Sequence, residues 1–315
     1  MSLPAASISR TETTSKLFAY SRRDAFPAAS GVLHLAYIFL LFWLFPRLPW
    51  WAMLPLGLIY SIAIAWNINS IAHNFIHNPY FRSPILNRAF SWVISLAAGA
   101  SQVFIDQNHL QHHKGNADRP DENGETLDWV SIYKHGHDGE PENPWAYIFL
   151  SFFREDPKPT YAELKRRNPA DARWGLFELI SFCAFFALMG IANWHFIVFF
   201  LPFWYFGHCL SYVNGYYMHY GANPDMPIAW GVSTYGRIYN WLWFNNGFHA
   251  EHHFRPKIHW TKMKPFRELI REEQEAAPVR VIRVAHTLGF LDRDLPPYPP
   301  LRPRPAPEAS VSIDS

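Results

Sequence analysis

Residues 25–45, AFPAASGVLHLAYIFLLFWLF, and residues 50–81, WWAMLPLGLIYSIAIAWNINSIAHNFIHNPYF, decide the fold: neither contains an Asp, Glu, Lys or Arg, and Pro46-Arg47-Leu48-Pro49 separates them. About 20 helical residues cross a hydrocarbon layer of about 30 Å, so each run can span a bilayer, and the prolines between them predict a tight return. A further charge-free run, 179–224, is too long for one crossing and is interrupted at Asn193, Trp194 and His195. It predicts a second hairpin, entered near Trp174. The chain therefore reads as an all-α integral membrane protein with four transmembrane helices in two hairpins.

Two further stretches predict interfacial helices. Residues 89–105 are uncharged but short, and they carry Ser91, Ser95, Gly99, Ser101 and Gln102, which suits a helix lying in or dipping into the membrane surface. Residues 229–244 are rich in Trp and Tyr, whose amphipathic rings favour the same depth. Orientation follows from the basic residues. Arg10, Lys16, Arg22 and Arg23 precede the first span and Lys158, Lys165, Arg166, Arg167 and Arg173 crowd the middle, whereas the two hairpin turns hold only Arg47. The positive-inside rule puts both termini and the middle region in the cytoplasm, where a helical cap would sit. The expected organisation is a cytoplasmic N-terminal segment (1–29), a membrane domain (30–292) and a Pro-rich disordered tail (293–315).

Composition supports a membrane setting and excludes several function classes. Aromatic residues make up 17% of the 315, as many as the charged ones. The mean hydropathy of −0.12 averages very apolar spans with a polar middle and tail. A net charge of +2 gives no basic face for nucleic acid. Cys183 and Cys209, the two cysteines, both fall in apolar runs, which argues against a disulfide framework or a Cys-based metal site. The N-terminus shows no basic stretch followed by a cleavable apolar core, so the first span is expected to be an uncleaved anchor.

The chemistry is carried by histidine. Of 16 histidines, eight fall into three clusters: His73-x3-His77, His109-x2-His112-His113 and His249-x2-His252-His253. At this histidine content one H-x-x-H-H is expected by chance in roughly 4 of 100 such chains, so two copies beside an H-x-x-x-H are no accident. Residues three and four apart share a helix face, so each cluster can aim two or three imidazoles at one point. Neutral imidazole ligates iron, copper, nickel or zinc, and eight are too many for one ion. Two metals are implied. All three clusters reach one membrane face only if residues 89–105 do not cross.

The other histidines read differently. His34, His195, His259 and His286 read as packing or surface residues, His135 and His137 as loop residues, and His208 as an intramembrane histidine outside the metal set. His219, in Asn214-Gly215-Tyr216-Tyr217-Met218-His219-Tyr220-Gly221 where the last span ends, can complete the coordination.

At these residues the chain resembles the membrane fatty acid desaturase superfamily, which also includes alkane hydroxylases, carotenoid ketolases and related lipid hydroxylases. The resemblance covers about residues 30 to 260. It implies a di-iron centre held by His73, His77, His109, His112, His113, His249, His252 and His253. The segment Tyr216–Gly221 is similar to one that supplies a further ligand in some members, which adds His219. Departures are Gly215 where acyl-CoA desaturases have Asn, with Asn214 one residue earlier, and Met218 where alkane hydroxylases have Glu. The box from His249 to His253, with Pro256 and Trp260 downstream, is similar to both acyl-lipid desaturases and carotenoid ketolases.

The resemblance implies an oxidoreductase that uses two ferrous ions, O2 and two electrons to oxidise an unactivated C–H bond of a lipid, foremost by desaturating a fatty acyl chain. The alternative is hydroxylation or ketolation of an alkyl, lipid or carotenoid substrate. Asn214, Asp106 and Glu251, with Asp118, Asp121 and Asp128, are the candidates to hydrogen-bond the ligands and tune the metals. The sequence has no G-x-G-x-x-G and no His-Pro-Gly-Gly segment, so the electrons are expected from a ferredoxin, rubredoxin or cytochrome b5-like partner with its reductase. A membrane metal transporter or haem protein is the rival class. Transport predicts ionisable groups inside the spans, haem needs one or two axial histidines, and a zinc hydrolase would show H-E-x-x-H.

Overall fold

The structure is a computed structural model that describes residues 15–294; the Pro-rich tail, and with it the expected disorder, lies outside the described residues, as do both termini. Helices are the only extended elements of the described chain, joined by loops of which 116–143 is the longest; there are two isolated bridges, Phe18 to Phe81 and Ser233 to Val281, and no strand among the described residues. Helices α1 (Ala25–Leu44), α2 (Trp50–Trp66), α8 (Pro169–Ala192) and α9 (Trp194–His219) are the four long apolar ones. At 1.5 Å per residue, the 20 residues of α1 reach about 30 Å. Between them in the chain lie α3 (His73–His77), α4 (Pro84–Ala98), α5 (Gln102–Gly115), α6 (Pro144–Arg154) and α7 (Pro157–Arg167), and after them α10 (Arg237–Leu242), α11 (His249–Phe254), α12 (Met263–Leu269) and α13 (Arg271–Ala276).

The breaks in the long helices fall where the sequence places them. Pro49, in extended conformation, starts α2. The Asn193 side chain accepts from the Phe196 amide and caps α9. Helix α8 begins earlier than Trp174, because Asn168 caps it and Pro169 occupies its first turn. Tyr60, Phe196, Phe200, Ile38, Leu41 and Met53 pack as the buried core among the long helices. Outward, Leu33, Phe39, Ile59, Ile180, Leu188, Ile191 and Val198 are exposed. Helices apolar on both faces are what a lipid surround requires.

Helix α2 runs on through a π-helical segment, Asn67–Ala72, into α3, giving one 28-residue rod from Trp50 to His77. The wider turn is held by side chains: Asn67 donates to His34 of α1, and Asn69 donates to Ser211 Oγ of α9. Such π turns recur at functional sites, and this one leads directly into His73.

Residues 89–105 do not form the single interfacial helix expected. Helices α4 and α5 meet at 92°. Gly99 ends α4 with φ +66, a left-handed conformation that favours glycine, and Ser101 accepts from the Phe104 amide to start α5. Residues 229–244 likewise contain only the short α10, with Ile238 and Trp241 exposed. The residues before it are tied instead to distant backbone, Val232 N to Met218 O, Ser233 N to Arg280 O and Thr234 N to Gly247 O.

Candidate metal centre

Histidines on four helices point at one another. His73 and His77 come from α3, His109, His112 and His113 from α5, His219 from the last turn of α9, and His249, His252 and His253 from α11. They separate into a group of five, His73, His77, His109, His113 and His252, and a group of four, His112, His219, His249 and His253. Within each group the donor nitrogens all lie within 4.8 Å of one another. The structure thus brings together all nine histidines read from the sequence, and α5 and α11 each serve both groups.

The contacts inside the groups have a specific chemistry. His252 Nε2 lies 2.9 Å from His73 Nε2 and 3.0 Å from His113 Nε2, and His109 Nε2 lies 2.8 Å from His77 Nε2 and 3.0 Å from His113 Nε2. In the second group His219 Nε2 is 3.0 Å from both His112 Nε2 and His249 Nε2. A ring nitrogen has one in-plane direction, holding either an N–H or a lone pair. It cannot serve two neighbours at once, whereas several lone pairs converging on a cation are all satisfied. His253 Nε2 is buried with no hydrogen-bond partner among the described residues. Both groups therefore fit metal ions better than they fit each other.

The opposite ring nitrogens explain the orientation. His73 Nδ1 pairs with Asn246 Oδ1 at 2.7 Å, His253 Nδ1 with Asn116 Oδ1 at 2.7 Å, and His112 Nδ1 with Asp128 Oδ2 at 2.6 Å. An oxygen acceptor at Nδ1 fixes the proton there and leaves the Nε2 lone pair facing inward. Burial, reinforced by neighbouring imidazoles, holds His109, His113, His249, His252 and His253 well below the ordinary histidine range. They are neutral, the form that binds metal. Burial alone would raise Asp128, but His112 and the Val130 amide outweigh it and hold the carboxyl below its ordinary range.

Asp128 is itself held in place. It accepts from the Ala117 and Val130 amides, and its own amide donates to Asp118 Oδ1 at 2.9 Å. This loop packs directly on Gly115: a Cβ there would collide with the Asp128 amide and come within 2.6 Å of Asp128 Cβ. Gly115→Ala is expected to displace Asp128 from His112 and to lower metal affinity roughly 10–100-fold, the usual cost of losing such a partner. A chelator titration of the purified protein measures it, and wild-type retention would refute the link.

Of the acidic and amide candidates, Asp128 is hydrogen-bonded to one of the nine histidines, His112. Asp106 accepts from Gln102, and burial pushes its carboxyl up to about 8. Asp118 braces the Asp128 loop, while Asp121 closes an exposed turn by accepting from Asn123 and Glu125 amides. Asn214 accepts from Tyr239 OH. Glu251 lies between the box histidines in sequence but accepts from Ser233 Oγ at 2.7 Å and Tyr235 OH at 2.8 Å, so it anchors α11 from behind. Asn116 and Asn246 were not among the candidates. Asn116 carried one signal: an Asn directly after a helix suits the left-handed cap it adopts, with φ 51. Outside the groups, His208 contacts the Ala98 carbonyl, His259 bonds Asp24 and His286 contacts the Val232 carbonyl.

A cavity of about 230 Å³ reaches both groups, touching His73, His109, His112, His219 and His249. The rest of its wall is largely apolar and aromatic, including Ile68, Ile76, Ile105, Ile132 and Phe152. Such a space suits a hydrocarbon chain.

A protein of Arabidopsis thaliana named "Sphingolipid delta(4)-desaturase DES1-like" is 25% identical over 236 residues, 72% of this chain and 66% of that one. One of the same name from Oryza sativa subsp. japonica is 23% identical over 227 residues, 71% of this chain and 66% of that one. The chain thus spans just under two thirds of the length of these curated relatives. The Fatty acid desaturase family model matches residues 49–285, a range that holds all nine histidines of the two groups, and the chain belongs to the fatty acid desaturase family.

Proposed function

We propose that the protein is a membrane oxidoreductase that desaturates an acyl chain of a lipid with O2, at a centre of two iron ions. The observation that carries this reading is the convergence of nine imidazoles into two adjacent groups at the wall of an apolar cavity. His73, His77, His109, His113 and His252 would hold one ion, and His112, His219, His249 and His253 the other. Bound there, iron supplies the O2 activation that amino acid side chains lack; zinc, which imidazoles also accept, has no redox chemistry. The protein's own part is to aim the donors, through Asn246, Asn116 and Asp128, and to hold the chain in the apolar cavity beside them. The family and the relatives' printed names support a lipid substrate.

The basic residues around α7, Lys158, Lys165, Arg166 and Arg167, support placing this end of the helices on the cytoplasmic side. A reduced ferredoxin, rubredoxin or cytochrome b5-like protein would deliver the electrons there. The test is expression in a lipid-producing host with a donor and reductase, followed by metal analysis of the purified protein and mass spectrometry of host lipids. The expected result is about two irons per chain and a lipid that has lost two hydrogens. Near-stoichiometric zinc after iron-rich growth would overturn the iron assignment, and a lipid that has gained an oxygen would replace desaturation by hydroxylation.

A further inference from the structure

The cavity beside the histidines adjoins a second one, of about 270 Å³, and Asn108, Val130, Tyr147, Glu155 and Tyr212 line both. The two differ in character. Beyond the shared wall, the second cavity is bounded by Ser131, Ser151, Thr160, Lys134, Arg154 and Asp156, among others. An apolar cavity that touches the histidines and shares a wall with a polar chamber has the form of a site for a molecule with a hydrocarbon chain and a polar end.

The charges in the chamber select among polar ends. Three carboxylates, Glu125, Glu155 and Asp156, line it against two permanent cations, Lys134 and Arg154. The Arg154 charge is already used, since Nη1 donates to Glu142 Oε1 at 2.6 Å. Burial and the nearby Arg154 and Lys134 charges lower His135, so it adds no positive charge at neutral pH. What remains is one cation, Lys134, whose ammonium donates to the Trp129 carbonyl, against the exposed carboxylates Glu125 and Asp156 and the Glu155 carboxyl, which desolvation holds above its ordinary range against the opposing Tyr212 bond; a lining in which acidic oxygens outnumber cations disfavours phosphate and favours hydrogen-bond donors.

Glu155 stands at the join. It lies between the end of α6 and the start of α7, and its Oε1 accepts from Tyr212 OH of α9 at 2.7 Å. That bond fixes the carboxyl group in the wall that the two cavities share. A carboxylate accepts several donors, so a second donor can be taken from a ligand.

We propose that this second cavity is the headgroup subsite of the lipid substrate and that it takes an uncharged headgroup bearing hydroxyl or amide N–H donors, with Glu155 as their acceptor and Tyr212 as its positioning residue. The proposal rests on the lipid-oxidation reading and narrows it: acyl-CoA and phosphate-bearing lipids are disfavoured as direct substrates.

The test measures binding without O2 or reductant, on the full chain purified in detergent, by native mass spectrometry with four probes of equal chain length. These are an N-acyl amino diol, a monoacylglycerol, a lysophosphatidate and an acyl-CoA. The first two are expected to bind at least about 10-fold more tightly than the last two, and their ratio tells an amide-bearing from a glycerol source. Glu155→Gln is expected to weaken the neutral probes by about 10-fold, the scale of one charge-assisted hydrogen bond, and to narrow the discrimination against phosphate while metal content stays at the wild-type level. Tyr212→Phe should do the same to a smaller degree and, in turnover, raise KM with kcat little changed. Phosphate or CoA probes binding as tightly as the neutral ones, or Glu155→Gln with unaltered binding, would overturn the subsite. A protein that binds the neutral lipids selectively but oxidises none overturns the proposed function and leaves the subsite standing; one that oxidises chains whatever the headgroup does the reverse.

Discussion

Replacing His252 by alanine is expected to abolish lipid oxidation and to strip the metal from the five-histidine group. His252 Nε2 links two others in that group's chain of contacts, lying 2.9 Å from His73 and 3.0 Å from His113. Its loss removes one donor and leaves its two neighbours facing an empty space in a buried site. The activity loss should exceed the roughly 10–100-fold that follows removal of a mere partner of a ligand, and metal per chain should fall by about one. His195→Ala is the control. His195 is exposed and stacks on Trp194 at the far end of α9, so its removal should leave metal content and lipid products unchanged. Metal analysis beside lipid mass spectrometry reads both variants. A His252→Ala protein with a full metal complement would remove this residue from the centre.

The spans were legible because their signal is one of exclusion. No charge interrupts 25–45, 50–81 or 179–224, and Pro49 and Asn193 mark the turns that the structure shows. The histidine groups were legible at the level of each helix, since spacing of three and four is a local property. The pairing between helices was not. That His252 joins His73, His77, His109 and His113 while His249 and His253 join His112 and His219 depends on how α3, α5, α9 and α11 cross. Glu251 shows the limit of adjacency. Flanked by box histidines, it reads as their partner, yet one residue from His252 on a helix is about 100° around the axis, and its carboxylate turns to Ser233 and Tyr235. Asn246 and Asn116 escaped notice because an amide acceptor follows no spacing rule. Asn246 meets a histidine 173 residues away and Asn116 one 137 residues away.

Residues 89–105 were read as one helix because an uncharged stretch conceals a corner. The same residues that made it look interfacial build that corner. Ser95 Oγ donates to the Ser91 carbonyl and accepts from the Gln102 amide. From α8, the fully buried Glu178 accepts from Ser91 Oγ, from Ser101 Oγ at 2.8 Å and from the Val103 amide at 3.0 Å. Gly99 allows the right-angle bend, and a Cβ on it would strike Trp204.

Glu178→Ala is accordingly expected to be among the most damaging substitutions remote from the histidines. An ionisable residue within a span usually marks a substrate or ion path, but here three donors account for the carboxylate. Its carboxyl oxygen also accepts from the Val103 amide in the first turn of α5, where the helix dipole favours an acceptor. Alanine would leave the donors of Ser91, Ser101 and Val103 buried without their acceptor, at about 1–3 kcal/mol each before relaxation, so a loss of roughly 3–5 kcal/mol is expected and a melting midpoint lower by about 10 °C in detergent. The consequence reaches the centre because α5 carries His109 and His113 into one group and His112 into the other. Both metals should therefore be lost together, in contrast to His252→Ala, which empties one group. Glu178→Gln keeps one carbonyl acceptor and should fall between wild type and alanine in both midpoint and metal content. A Glu178→Ala protein that melts with the wild type and keeps both metals would show that the corner holds without its clamp, and that the buried carboxylate serves some step other than positioning α5.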